Sequence, residues 1–479
     1  MLDRREFLKS TVVFTGGLAF SKISNAAGML EDIKIFNSKR PAPAERKFTS
    51  EIIEKTIVQI KSKMKDEELA WIFENCFPNT LDTTITKHGL LNNKQDTFVI
   101  TGDIPAMWLR DSAAQVYPYL PFIKEDSNLK KLIQGVINRQ VKCVLIDPYA
   151  NAFNYDDSKK SHWYSDKTDM KPELHERKWE VDSLCYVIRL SYKYWEVTGD
   201  VSLFDEDWVK AMELIIKTFR EQQRKEGDGP YKFQRVTESP TDSLCGRGYG
   251  FPVKPVGLIC SMFRPSDDAT IYPFLIPSNI FAVTALSYLS EILDCINMKH
   301  LAVESRNLAA EINEAVQKYA VAEHAGFGSI YAYEVDGFGN RIFMDDANIP
   351  SLLSLPYISS VNVSDPVYSN TRKFLLSSSN PYFVIGKYGE GIGSEHTKRG
   401  TVWHLSVIAR ALTSTDDSEI INCLELIKKS HADTGFMHES FNINNPSEFS
   451  RKWFAWANTM FGELIIKLFN ERPFLLAKL

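Results

Sequence analysis

Apolar side chains recur at intervals of three and four residues along ten stretches of this 479-residue chain, and that spacing constrains the fold more than any other feature. The stretches are 48–77, 111–119, 128–146, 181–198, 203–226, 269–294, 301–321, 400–411, 417–429 and 453–469. A helix with one apolar stripe must bury it against a neighbour, and here the neighbour in sequence is nearly always another helix. The expectation is an all-α chain of helical pairs, the unit from which an α/α barrel closes. Long loops of uneven length join the pairs, and such loops are where a rigid scaffold presents catalytic groups. Short strand patterns at 97–101, 231–236 and 330–333 predict β-hairpins at the mouth of the barrel.

A hydrophobic fraction of 44 %, with 12 % aromatic, supplies a large core. No composition break or low-complexity tract marks a second domain. Barrels run past ~250 residues as one unit, so 47–479 reads as a single domain. Residues 27–46, which include Lys39-Arg40-Pro41-Ala42-Pro43-Ala44, read as an extended lead-in. Residues 1–26 read as an export signal. Asp3-Arg4-Arg5-Glu6-Phe7-Leu8-Lys9 resembles the twin-arginine motif, an apolar run follows over 10–20, and Ser24-Asn25-Ala26 offers small residues for cleavage. An ordinary secretory signal carrying two arginines is the alternative. Both lead out of the cytoplasm, and the periplasm is the expected destination.

The formal net charge is −5, and removing residues 1–26 takes away four basic and two acidic side chains, which leaves −7. A mildly acidic surface disfavours nucleic acid and anionic membrane as partners and suits a neutral ligand. Outside the N-terminus no uncharged apolar stretch reaches the ~18 residues that predict a membrane span. The seven cysteines are too scattered for a disulfide framework, although Cys245 and Cys260, which flank a Gly- and Pro-containing loop, are a candidate bridge. No CxxC pair occurs. His438-Glu439 lacks the histidine four residues on from the first that a zinc-protease helix requires, so neither a metal nor a cofactor is expected. Gly389-Glu390-Gly391-Ile392-Gly393-Ser394 lacks the spacing of a nucleotide loop and reads as a loop at a pocket rim.

Two acidic segments carry the chemistry: Phe263-Arg264-Pro265-Ser266-Asp267-Asp268-Ala269 and Gly435-Phe436-Met437-His438-Glu439-Ser440-Phe441. Together they offer the paired carboxyls of glycoside hydrolysis, one to protonate the departing oxygen and one to activate water or attack the sugar. Asp267 and Asp268 are also placed to cap a helix beginning near Ala269. Four further clusters set an indole or a proline beside a charged or amide group. They are Pro105-Ala106-Met107-Trp108-Leu109-Arg110-Asp111-Ser112, Lys178-Trp179-Glu180-Val181-Asp182-Ser183, Ile276-Pro277-Ser278-Asn279 and Arg451-Lys452-Trp453-Phe454-Ala455-Trp456-Ala457-Asn458. Pyranose C–H faces rest on aromatic rings and sugar hydroxyls take bidentate polar contacts, so these clusters suit a sugar pocket.

Taken in order, the Met107-to-Ala113, Phe263-to-Ala269, Ile276-to-Asn279, Gly435-to-Phe441 and Trp453-to-Asn458 segments resemble glycoside hydrolase family 125, the bacterial and fungal exo-α-1,6-mannosidases. The resemblance runs from Trp108 to Asn458 and extends more weakly from Lys47 to Leu468. It implies an (α/α)6 barrel and removal of terminal mannose from a glycan by an inverting mechanism without a metal. In that reading Glu439 is the general base and Asp267 the general acid, with Asp268 its fallback. Arg110 and Asp111 clamp sugar hydroxyls, and His396 lies near the sugar. Trp108, Asn279, His438, Trp453 and Trp456 are candidates for pocket walls. The enzyme is expected to act as a monomer on a small mannose-containing oligosaccharide. Polysaccharide lyases and epimerases on α/α barrels are the alternative class, and a non-catalytic glycan-binding protein is a third.

Overall fold

Helices are cut where backbone donors find side-chain acceptors. In the computed structural model, which describes residues 36–478, the expected helix over 48–77 divides into α1 (Glu51–Lys61) and α2 (Glu67–Cys76), because Asp66 accepts a hydrogen bond from the Leu69 N–H and restarts the chain as an N-cap. The remaining helices are α3 (Leu109–Val116), α4 (Ser127–Ile146), α5 (Val181–Thr198), α6 (Glu206–Gln222), α7 (Ile276–Cys295) and α8 (Lys299–Ala315). After them come α9 (Leu355–Ile358), α10 (Pro366–Leu375), α11 (His404–Leu412), α12 (Asp417–Ser430), α13 (Ala455–Glu471) and α14 (Pro473–Lys478). Helix α10 lies outside the ten periodic stretches; Asp365 caps it and Pro366 opens it.

The strands are short. They are β1 (Ile85–Leu91), β2 (Lys94–Val99), β3 (Met107–Trp108), β4 (Ala152–Phe153), β5 (Leu174–Glu176), β6 (Phe274–Leu275), β7 (Val321–His324) and β8 (Gly328–Tyr331). The rest are β9 (Glu334–Val335), β10 (Arg341–Ile342), β11 (Phe383–Gly386), β12 (Gly389–Ile392), β13 (Thr401–Trp403), β14 (Ser440–Asn442) and β15 (Asn445–Phe449). Antiparallel two-stranded pairs form from β1 and β2, β7 and β8, and β11 and β12. Three-stranded sheets have the orders β3-β4-β5, β10-β9-β6 and β13-β14-β15.

Several expectations are corrected. The helix expected over 269–294 begins only at Ile276, because the Ala269 and Thr270 amides bond to the carbonyls of Thr241 and Met262 instead of continuing a helix. Asp267 and Asp268 therefore cap nothing. The stretch 231–236 is extended without being a strand: Phe233 donates to Gly248, and Gln234 exchanges bonds with Lys167. Gly389–Ile392 is a strand and not a loop, with Gly391 so close to Val402 that a Cβ there would lie 2.5 Å from its Cγ1. Cys245 and Cys260 are both free thiols, the first exposed and the second buried. The export signal at 1–26 lies outside the described residues.

Residues 37–478 cluster as one compact unit, and of the other unit only its last residue, Phe36, is described. The lead-in is tied down from its first part within that unit. Lys39 N–H donates to Asn75, and the Arg40 guanidinium spans Glu54 and Asp82. Helix packing runs from α3 to α5, from α5 to α7, from α11 to α13, and from α13 back to α3. Helices α2, α4, α8 and α12 lie against members of that series. Among the described residues α7 is the only helix long and apolar enough to cross a bilayer, and 78 % of it is buried within the protein. The core is dense at the series: Trp179, Trp403, Trp456 and Tyr186 are almost wholly out of solvent.

Gly462 lets α13 press against α2. A Cβ built on it would meet the Phe77 backbone Cα at 2.8 Å and the ring at 2.6 Å, where neither can retreat without moving a helix. Gly462→Ala should lower stability by about 1–3 kcal/mol, read as a shift in the midpoint of urea denaturation, despite alanine's better helix propensity.

Candidate active site

Four helices of the packed series begin where site residues are needed. Trp108 is the residue before α3, with Arg110 and Asp111 in its first turn, and Glu180 is the residue before α5, with Asp182 in its first turn. Trp403 precedes α11 and Phe454 precedes α13. Strand pairing fixes their spacing. Trp108 lies opposite Ala152, and Ala152 opposite Glu176, which delivers Asn151 to the carboxylates of the α5 entrance. Its amide nitrogen stands 3.0 Å from Glu176, 3.4 Å from Glu180 and 3.5 Å from Asp267.

The Asp267 loop hangs from the α5 entrance. The Met262 and Phe263 N–H groups both donate to the Trp179 carbonyl at 3.1 Å, and Lys178 Nζ donates to the Asp267 carbonyl at 2.8 Å. Asp267 itself has φ +70°, a left-handed conformation that aspartate tolerates better than most residues. That twist sends the Asp267 and Asp268 side chains to different neighbours. Asp267 reaches the Arg110 guanidinium at 3.6 Å, whereas Asp268 faces His396 Nδ1 at 3.5 Å.

Glu439 arrives on a different loop. It immediately precedes β14, whose Ser440 pairs with Trp403 of β13. Ser450 Oγ donates to Glu439 Oε2 at 3.0 Å, and Arg451 Nη1 lies 3.6 Å from Oε1. Arg451 is itself held by Asp103. Glu439 and Asp267 line one pocket together with Arg110, Asp111, His396, Asn348, Ser266 and Thr101. Its apolar walls are Trp108, Trp403, Phe454 and Ile104. A larger groove of about 950 Å³ between β2, α4 and α6 lacks such a set, because its acids Asp96, Asp205 and Asp207 are paired with Arg139 and Lys94.

Charge is distributed unevenly across the pocket. Burial raises the Asp267 carboxyl, but the Lys178 ammonium and the Arg110 guanidinium outweigh it and hold the group below the usual carboxylate range. Burial pushes Asp111 up to about 6 against the pull of Arg110 and Arg451. Burial disfavours the charged form of His396, yet its bond to Asp268 and the nearby acids raise it to about 9. Two carboxyls lining one aromatic-walled pocket, with a cationic flank, are equipped for acid/base cleavage of a glycosidic bond.

A family model for metal-independent α-mannosidases, GH125, matches residues 66–466. The chain belongs to the GH125 family. It is a glycoside hydrolase of the α-mannosidase class. It is 44 % identical over 457 residues to the meiotically up-regulated gene 157 protein of Schizosaccharomyces pombe, covering 92 % of this chain and 90 % of that one. The solved structure of a Streptococcus pneumoniae metal-independent α-mannosidase, a non-productive complex with α-1,6-mannobiose, superposes with a TM-score of 0.85 at 42 % identity. That match covers 89 % of this chain and all of the other. A bacterial glucoamylase bound to acarbose is similar in fold alone, with a TM-score of 0.51 at 12 % identity over 88 % of this chain and 59 % of that one.

Of the residues singled out in this GH125 sequence, the structure brings Asp267, Glu439, Trp108, Arg110, Asp111 and His396 to the pocket. It does not bring the others there. Asp268 is buried behind His396. Asn279 binds the backbone of Ile259 and the Leu275 carbonyl, which pins the start of α7. His438 stacks on Phe449 at 3.7 Å, bonds the Arg451 carbonyl, and is kept neutral by burial, with its pKa pushed down to about 4. Trp453 donates to Thr83, and Trp456 packs in the core against Tyr186. Asn348, Trp403 and Arg451 were missed as site residues. Trp403 had a signal, since a short strand ending in tryptophan precedes α11 just as Met107-Trp108 precedes α3. Among the described residues, Glu68, His431 and Asp433 form a group of metal-ligand type, and none of them lines the pocket.

The His396–Asp268 contact can be tested by titration. His396 should stay protonated through neutral pH, with any stability it contributes fully present below 6.5 and lost as pH rises through about 9. Removing the partner charge in Asp268→Asn should bring the imidazole pKa, followed by NMR, down toward 6.5 or below; an unchanged value would place the shift elsewhere.

Proposed function

We propose that this enzyme is an exo-acting α-1,6-mannosidase that inverts the anomeric centre and uses no metal. The observation that carries the reading is the meeting of Asp267 and Glu439, from distant loops, in one pocket that is also lined by Arg110, Asp111, His396 and two indoles. The helical series that runs from α3 through α5 and α7, and through α11 and α13 back to α3, supports an (α/α)6 barrel with this pocket at the end where those helices begin. The α-1,6-mannobiose bound by the pneumococcal relative supports the linkage.

In this mechanism Asp267 protonates the departing glycosidic oxygen. Glu439, oriented by Ser450 and Arg451, takes a proton from a water that attacks the anomeric carbon on the opposite face. Inversion requires room for that water, with carboxyls about 6.5–9.5 Å apart. Arg110, Asp111 and Asn348 stand at the pocket surface where sugar hydroxyls would be held, with the Trp108 indole in the wall beside the ring and Trp403 backing it. The family's metal independence fits a site whose positive charge comes from Arg110, Arg451 and His396.

Proton NMR of early hydrolysis should show β-mannose first, from α-1,6-mannobiose in preference to the α-1,2 and α-1,3 isomers, in activity that survives EDTA. Appearance of α-mannose first, or activity lost to EDTA and restored by a divalent cation, would overturn the mechanism. Glu439→Gln should reduce turnover of all mannosides by at least ~10²-fold. Asp267→Asn should do so for natural mannosides and far less for an activated aryl mannoside that leaves without protonation.

A further inference from the structure

Arg110 is asked to neutralise more than it can. Its guanidinium lies 2.5 Å from Glu180, 3.2 Å from Asp182, 3.6 Å from Asp267 and 3.7 Å from Asp111. The Glu180 and Asp182 side chains are wholly out of solvent. The next cation, Lys178, is engaged by Asp242 at 2.6 Å and Glu176 at 3.7 Å, and His396 is paired with Asp268 at 3.5 Å. Lys178 shares Asp267 and Arg451 shares Asp111, but the ion pairs of the fully desolvated Glu180 and Asp182 are both with Arg110, and one guanidinium cannot neutralise two buried carboxylates, so the cluster retains a proton.

The bonds say where it rests. Glu180 Oε2 accepts from Arg110 and from Ser183 at 2.8 Å, which leaves Oε1 on the side of Asn151 and Asp267. Asp267, by contrast, keeps 28 % of its side chain open to the pocket. We propose that Glu180 stores the proton of the general acid in the empty enzyme and passes it to Asp267 when a sugar fills the pocket, which makes Glu180 a positioning and proton-holding residue that never touches substrate. The proposal rests on the reading of Asp267 as the acid.

Sugar binding strips water from Asp267 and so destabilises its charge, while Glu180, already buried, feels little change. The O–H bond at Glu180 Oε1 breaks, one forms at an Asp267 oxygen, and Glu180 is left as a carboxylate paired with Arg110. After Asp267 protonates the leaving oxygen, the pair has lost one proton, which solvent returns once product departs. The electrostatics agree in direction. Burial, reinforced by the Asp267 and Asp182 charges and opposed by Arg110, pushes Glu180 well above the usual carboxylate range, while Asp267 lies below it.

Glu180→Gln keeps the volume and an acceptor for Arg110 but offers no transferable proton. With α-1,6-mannobiose its kcat should fall at least ~10-fold with KM little changed, whereas a dinitrophenyl α-mannoside should be hydrolysed within about twofold of the wild-type rate. The basic limb of the kcat/KM profile should move to lower pH, because an Asp267 held low by Lys178 and Arg110 loses its proton earlier without the store. Equal losses on both substrates, no loss on either, or an unmoved basic limb would overturn the proposal. Asp267→Asn run on the same two mannosides separates the failures: if it spares the aryl mannoside and Glu180→Gln does not, the acid assignment stands and the store falls. If the Gln variant fails to fold, infrared difference spectra of the wild type decide. A protonated-carboxyl band that shifts on adding mannose, and no longer shifts in Asp267→Asn, supports the transfer; no shift overturns it.

Discussion

The acid side of the pocket is arranged around one buried guanidinium. Arg110 stands in the first turn of α3, hardly exposed, and its contacts reach the entrance of α5 through Glu180 and Asp182 and the acid loop through Asp267. Two helices and a loop are thereby referenced to a single rigid, planar group, which holds position better than a flexible ammonium would. The cost is a high density of acid. A buried ion pair rarely adds net stability, so this cluster is better understood as a device for geometry and proton affinity than as a source of folding energy.

The second constraint is directional. Helices α3, α5, α11 and α13 each begin beside the pocket, so their unsatisfied N–H groups and the positive ends of their dipoles face the same space. That environment offsets part of the cost that burial imposes on the Asp111 and Asp182 carboxylates in their first turns, without supplying a mobile cation. Short strands before α3 and α11 then set the rotation of the residue at each helix start, which is how Trp108 and Trp403 come to wall the same pocket.

How much of this was legible in the sequence depends on the range of the interaction that decides it. Helical periodicity is local, and the helices over 128–146 and 181–198 sit where the spacing put them. The start of α7 was misplaced because long-range bonds from Ala269 and Thr270 to Thr241 and Met262 override local propensity. The same limit applies to the site. Asp267 and Glu439 stood out by their company of small and aromatic neighbours, but Asp268 could be told from Asp267 only by a left-handed backbone turn, and Trp456 from Trp403 only by position, one inside a helix and the other just before one, against the pocket. Glu180 was visible in its motif and unreadable in role, since nothing in Lys178-Trp179-Glu180 shows that one arginine seventy positions earlier would be shared four ways.

The two sides of the pocket are joined by the closure of a very long loop. Gly102 bridges Phe454, the Ala455 N–H bonds the Thr101 carbonyl, and Arg451 holds Asp103 while standing beside Glu439. The consequence is one of timing. While the chain is being made, residues 101–111 emerge early and wait, their acids and indoles lacking the partners that define a cavity, until the stretch around 439–455 is free to dock on them. The pocket that Asp267 and Glu439 line is therefore complete only once α13 locks into place.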